Sequence, residues 1–198
     1  SPTLDVDSHL VSTSLALSGS LNDKPPIKWA GQLERMLLSS QQGEWELNQA
    51  TKLGFDMKSK QASVAAHCWL QADSSLCLDE DTKVGEVGEA KLSINQFNFT
   101  QIAQFLPPET ELFGEANAHV WAKWSANQSP EIKLDLELPQ GGVSQKLNQP
   151  LELGWDKVML NATLVKDRLQ AKWSLDVTDN GDLTGQVTIP NVLSENRL

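Results

Sequence analysis

The chain has 198 residues and a formal charge of −10, from 16 Lys and Arg against 26 Asp and Glu. That balance excludes the basic face that phosphate backbones require, and with it nucleic-acid binding; it also disfavours steering toward anionic headgroups. Hydrophobic residues make up 39%, a modest share, but their tight patterning excludes disorder, and no run approaches the ~18 apolar residues that a membrane-spanning helix needs.

Most of the chain alternates apolar and polar residues with period two, the mark of strands with one buried face. The opening run carries Leu4 and Val6, then shifts phase to Val11, Thr13, Leu15, Leu17 and Leu21, so a bulge or turn is expected near 8–10. Asn22-Asp23-Lys24-Pro25-Pro26 reads as a connector, because proline cannot donate to a strand ladder. Trp29 to Leu38 reads as a strand, with one or two helical turns over Gln32–Leu38 as the alternative. Gln41-Gln42-Gly43 turns the chain, Trp45 and Leu47 share a face, and Leu53, Phe55 and Met57 form the next strand.

Ser63 to Leu70 leads into the only two cysteines, Cys68 and Cys77, nine positions apart. Opposed α-carbons in an antiparallel hairpin sit roughly 4.5–5.5 Å apart, within disulfide reach. Read this way, the pair staples a hairpin and indicates an oxidising compartment. Two reduced, buried thiols are the alternative, while a zinc site using His67 lacks a second pair at ligand spacing. Asp79-Glu80-Asp81 reads as a solvated turn rather than a cation site, and Ala90, Leu92 and Ile94 resume the strand pattern.

The period then changes. Phe99, Ile102, Phe105 and Leu106 fall on one helical face, Asn98 is placed to cap its start, and Pro107-Pro108 end it. A two-turn amphipathic helix over 99–106 cannot hold alone and must dock on something apolar.

Beyond it, Leu112, Gly114, Ala116, Ala118, Val120, Ala122 and Trp124 share one strand face, followed by Ile132, Leu134, Leu136 and Leu138. Leu151 and Leu153 precede Val158, Leu160, Ala162 and Leu164; Leu169, Ala171, Trp173, Leu175 and Val177 come next. Asn180-Gly181 is a two-residue hairpin signal, and Leu183, Gly185, Val187 and Ile189 complete the last strand. An apolar-x-Gly-x-apolar pattern recurs at 17–21, 29–33, 112–116 and 183–187. Glycine there permits a bend or the close approach of another group, with chance recurrence as the alternative.

The expected fold class is all-β, with roughly ten strands, each apolar on one side only. One short helix cannot cover such a sheet. It must fold on itself as a sandwich, close into a barrel, or curl into a groove that meets an apolar ligand. Chemistry is sparsely provided for. His67 and His119 stand in apolar strands and read as structural, His9 is the only other histidine, and Asp5/Asp7, Glu44/Glu46 and Asp135/Glu137 fall on polar strand faces. Without a phosphate loop or nucleophile motif, no catalytic residue, metal ligand or cofactor site is expected, and the chain reads as a non-enzyme.

Gly31-Gln32-Leu33, Gly43-Glu44-Trp45-Glu46-Leu47, His67-Cys68-Trp69-Leu70, Leu76-Cys77, and Phe97 to Pro108 with Leu112-Phe113-Gly114 occur here in that order. From about residue 27 to 190 the chain resembles the periplasmic region of the TamB family, within the AsmA-like, repeating-β-groove superfamily. The resemblance implies a β-taco, a long sheet curled along its length into an aliphatic trough. Residues 1–198 would be a single periplasmic segment of a longer protein, as the start at Ser1-Pro2 without an initiating Met also suggests. That parent would be the inner-membrane component of the translocation and assembly module of a Gram-negative bacterium, meeting a TamA-like outer-membrane β-barrel through parts outside this segment. The implied function is phospholipid transport across the periplasm, with support of outer-membrane protein and autotransporter assembly. Acyl chains would lie against Leu112, Val120, Trp124, Ile132, Leu134, Leu136, Leu138, Val158, Leu160, Leu164, Leu169, Trp173, Leu175, Val187 and Ile189. The rival is a chaperone groove that receives nascent outer-membrane β-strands by strand addition; a closed, carbohydrate- or partner-binding sandwich is the third reading.

Overall fold

The computed structural model describes residues 3–7, 11–22, 24–40, 43–146 and 150–193, so the phase break expected at 8–10 and most of the turn at 41–43 lie outside the described residues. The described residues form one seventeen-stranded sheet and one short 3-10 helix. Seven rungs of the sheet are single strands: β1 (Thr3–Asp7), β2 (Val11–Asn22), β3 (Lys28–Ser40), β10 (Gly88–Asn98), β15 (Leu151–Val165), β16 (Arg168–Val177) and β17 (Gly181–Pro190). Five more are each split in two: β4 (Gly43–Leu47) with β5 (Thr51–Asp56), β6 (Gln61–Val64) with β7 (His67–Gln71), and β8 (Ser74–Leu78) with β9 (Thr82–Val84) in the first half; then β11 (Thr110–Phe113) with β12 (Glu115–Trp124), and β13 (Glu131–Leu138) with β14 (Gly141–Gln145). Every ladder is antiparallel, and each rung pairs with the rungs before and after it, the first and last having one neighbour each among the described residues. Twelve rungs at a strand spacing of ~4.8 Å span about 50–55 Å. The expected ten strands fall short because several period-two runs are interrupted midway.

Those interruptions lie side by side and crease the sheet. In the first half they fall at 48–50, 65–66 and 79–81. Asn48 N–H donates to the Cys68 carbonyl (2.8 Å), Ala65 N–H to Lys52 (2.9 Å) and Asp79 N–H to Lys91 (2.9 Å), while Asn48 Oδ1 accepts from Cys68 N–H (2.9 Å). The backbone groups released by the broken ladder therefore keep partners, as an interrupted strand requires. Asp79-Glu80-Asp81, expected as a solvated turn, belongs to this crease. Asp79 accepts from Ser93 Oγ (2.6 Å), Glu80 pairs with Lys91 (2.7 Å), and Asp81 accepts from Ala66 N–H (2.8 Å). In the second half the crease runs through Gly114, Pro139-Gln140 and a bulge in β15 between Trp155 and Lys157. Gly114 has φ +113°, which disfavours any side chain.

The sheet is curled and open. Trp45 and Phe97 stack with ring centroids 6.2 Å apart, although β7 and β8 separate their strands, a gap of about 14 Å in a flat sheet. Among the described residues only Leu47, Phe99, Ala118, Trp155 and Leu164 are buried hydrophobics. A closed sandwich or barrel would bury far more, so of the three architectures left open by the sequence the groove is the one observed.

The helix departs from expectation in type. It is a 3-10 helix over Phe99–Phe105, started by Asn98, whose side chain accepts the Thr100 N–H at 2.9 Å, and closed by Leu106 N–H donating to Ala103. Of the four expected docking residues, Phe99 is buried, Ile102 and Leu106 are half-buried, and Phe105 is 76% exposed. At three residues per turn, 99, 102 and 105 form one row along the axis. That row is tied to the sheet at its start, by Phe99 N–H to Gly114 and by Gln101 Nε2 to Ser74 Oγ, and lifts away at its end. The last hairpin sits where Asn180-Gly181 predicts it, but with a longer loop: Val177 pairs with Gly181, and Asn180 N–H closes the turn onto Val177.

Candidate functional site

Strand register sets the apolar side chains in rows along the trough. Ala118, Leu136, Leu160, Trp173 and Gly185 are directly opposed across five strands. Val120, Leu134, Ala162, Ala171 and Val187 form the next row; Ala122, Ile132, Leu164, Leu169 and Ile189 the third. Leu138, Val158 and Leu175 continue the pattern, Trp124 opposes Gly88, and Leu112 joins through Val143 and Leu153. Every residue expected to line the trough thus lies on one face. Leu164 is buried, while Trp173, Val187 and Ile189 are each 38–39% exposed.

The face also runs on through the first half of the chain, which the sequence reading did not include. Leu47, Trp69, Leu76 and Ile94 form one row leading into Ala118, and the Leu15–Met36 and Leu38–Trp45 pairs extend it. Trp155 was missed as well. The bulge beside it shifts the phase of β15, so Trp155, opposing Gly141 and Val177, turns to the apolar side and is buried. The only sequence signal for such contacts is the recurring glycine. Gly19 and Gly31 lie under the ring of Trp29, and Gly185 under that of Trp173, so close approach is the role at three of the four recurrences; Gly114 is the bend.

The opposite face is polar and internally paired. Lys157 meets Glu137 at 3.2 Å, Asn161 donates to Asp135, Trp121 Nε1 donates to Glu89 (2.8 Å), and Lys133 lies over the Trp121 ring. Such exposed pairs each contribute about 0–1 kcal/mol and serve mainly to keep this face wet. His119 stands exposed on this side rather than packed, because its neighbours Ala118 and Val120 take the apolar face. His67 Nδ1 contacts the Ala65 carbonyl at 2.9 Å. Cys68 and Cys77 are directly opposed and bonded, with Cα atoms 4.0 Å apart. They point to the polar side, behind the Trp69–Leu76 pair. Among the described residues no cluster of three or more His, Cys, Asp or Glu could hold a metal.

Asp176 opposes Asp182 on this face. Desolvation first, then the charges of Asp182 and Asp156, push its pKa above the ordinary 3.8. The folded carboxyl holds its proton more tightly than the unfolded one, so stability falls as pH rises from 3.8 through the raised value. Asp176→Asn is expected to raise the melting temperature at neutral pH, with the gain vanishing below that window. Thermal melts across pH check it, and a gain that persisted in acid would contradict the assignment.

Fold and site together define an all-β groove protein, one open sheet whose apolar face is presented rather than covered. A family model described as "TamB, N-terminal domain" matches residues 1–198, and the chain belongs to that family. The Translocation and assembly module subunit TamB of Haemophilus influenzae is 24% identical over 188 residues, which cover 94% of this chain and 14% of that protein. The chain therefore spans a small part of this curated relative. No solved structure matches.

Proposed function

We propose that the chain is one segment of a periplasmic hydrophobic conduit that shields phospholipid acyl chains between inner and outer membrane. The observation that carries this reading is the continuous, half-exposed aliphatic face, backed by a wet polar face and open along one side. Polar ligands need convergent hydrogen-bonding groups, and the rows through Leu134, Leu136, Leu160 and Leu164 offer none. A sixteen-carbon chain passing from membrane to water costs roughly 12 kcal/mol, at about 0.8 kcal/mol per methylene. Hydrocarbon walls replace most of that lost contact, so movement along the trough becomes nearly isoenergetic while the headgroup stays in water at the open side.

Family membership supports a part in the translocation and assembly module, with an inner-membrane-anchored parent and a TamA-like outer-membrane barrel as its partner. Assembly of outer-membrane proteins would draw on the same module. The chaperone reading has its own support: β1 and β17 are each laddered on one side only among the described residues, and a free strand edge accepts another strand. Native mass spectrometry of the purified chain is expected to find copurified phospholipid. Crosslinking to nascent outer-membrane strands with no lipid bound would favour the chaperone instead.

A further inference from the structure

Besides Gly19, four glycines on the floor of the trough lie beneath tryptophan rings. A Cβ on Gly185 would stand 2.2 Å from Trp173, on Gly88 2.3 Å from Trp124, on Gly31 2.3 Å from Trp29, and on Gly141 2.8 Å from Trp155. Three of these pairs are directly opposed on neighbouring strands, while Trp29 covers a glycine two residues along its own strand. None of the four has a φ in the left-handed region, so the backbone does not require glycine. Glycine inside a strand otherwise weakens it. At Gly185 the three nearest atoms all belong to the indole; at Gly31, Gly88 and Gly141 a backbone carbonyl, of Ser18, Lys83 and Phe113 at 2.6–2.7 Å, crowds the position together with the ring.

The indole N–H groups of two of these rings are spoken for. Trp124 Nε1 donates to the Gly85 carbonyl (3.0 Å) and Trp155 Nε1 to that of Pro139 (2.8 Å), so neither points a donor into the trough. The flat rings offer it apolar faces, a surface suited to hydrocarbon and not to a polar ligand.

We infer that Gly31, Gly88, Gly141 and Gly185 set the clearance of the trough: each lets a tryptophan lie against the sheet and so leaves room for an acyl chain above it. The role rests on the conduit reading. A side chain at Gly185 lifts the ring into the path, while at Gly31, Gly88 and Gly141 it must also displace a backbone carbonyl. Because the pairs are spread from β3 to β17, each is a separate point at which the trough can be narrowed.

The test uses the purified chain and phosphatidylcholine with brominated acyl chains, with affinity read by tryptophan quenching and folding by circular dichroism and thermal melting. Gly185→Leu is expected to stay folded and lose affinity about tenfold, the worth of roughly two methylenes displaced from an apolar wall. Gly185→Leu combined with Trp173→Ala is expected to recover it, since the obstruction is the lifted ring. If Gly185→Leu does not fold, Gly185→Ala, with and without Trp173→Leu, makes the same comparison with a smaller side chain. A folded glycine variant that binds like the parent, or a loss that removing the ring does not restore, overturns this role alone. No binding by the unsubstituted chain overturns the conduit reading and this role with it.

Discussion

Replacing Leu136 by glutamate is expected to cut phospholipid binding by about a hundredfold or more while the sheet stays folded. Leu136 is half-buried in the middle of the row from Ala118 to Gly185, with Ala118 and Leu160 directly opposed on either side. In the empty trough a carboxylate there still reaches water, so the fold loses only the apolar contact of the leucine, about 1–2 kcal/mol. Under an acyl chain the same carboxylate loses its water without gaining a partner, which costs several kcal/mol, and each 1.4 kcal/mol is about a factor of ten in affinity. Asp135→Ala, one residue along on the polar face, is the control and should leave lipid binding unchanged. A folded Leu136→Glu chain that retained its lipid would mean that the lipid sits elsewhere.

Loss of the disulfide should have the largest effect on stability. Cys68 and Cys77 close a loop with a sequence separation of 9. On the chain-entropy account such a loop stabilises by about 2.5–3 kcal/mol. For a chain of this size that corresponds to a fall of roughly 5–12 °C in melting temperature for Cys68→Ser/Cys77→Ser. Differential scanning calorimetry with and without reductant checks it: the parent chain should lose stability on reduction and the double variant should not respond. Because the bond lies on the polar face, lipid binding below the melting range should be spared. Loss of binding in a folded double variant would give the bond a role in shaping the trough.

Much of the trough was legible in the sequence for a simple physical reason. In β12, β13, β16 and β17 the period-two phase runs unbroken, so Val120, Leu136, Trp173 and Ile189 could be assigned to a common face before any strand was paired. Where one extra residue enters a strand, the phase reverses and the pattern misleads. Trp155 is the clearest case: it is in phase with Leu151 and Leu153 but out of phase with Val158 and Leu160, and only the bulge beside it puts them all on one face. Cross-strand partners are equally invisible. Gly185 and Trp173 are twelve residues apart in sequence, yet one exists for the other. The acidic triplet 79–81 is exposed, as the sequence reading has it, but its partners Ala66, Lys91 and Ser93 come from two neighbouring rungs and leave no mark in the sequence. For Phe105 the helical pattern described the element but not where it lets go of the sheet, and the ring stands in solvent.

The conduit claim is tested most directly by tryptophans on opposite faces of the same sheet. Trp173 lies in the trough, while Trp121 lies on the polar face, held by Glu89 and Lys133. Two variants, each retaining one of these tryptophans with the others replaced by phenylalanine, would be loaded with phospholipid brominated in mid-chain. Acyl bromines should strongly quench Trp173 and leave Trp121 unaffected. Equal quenching of both, or quenching of Trp121 alone, would contradict a lipid path along the apolar face.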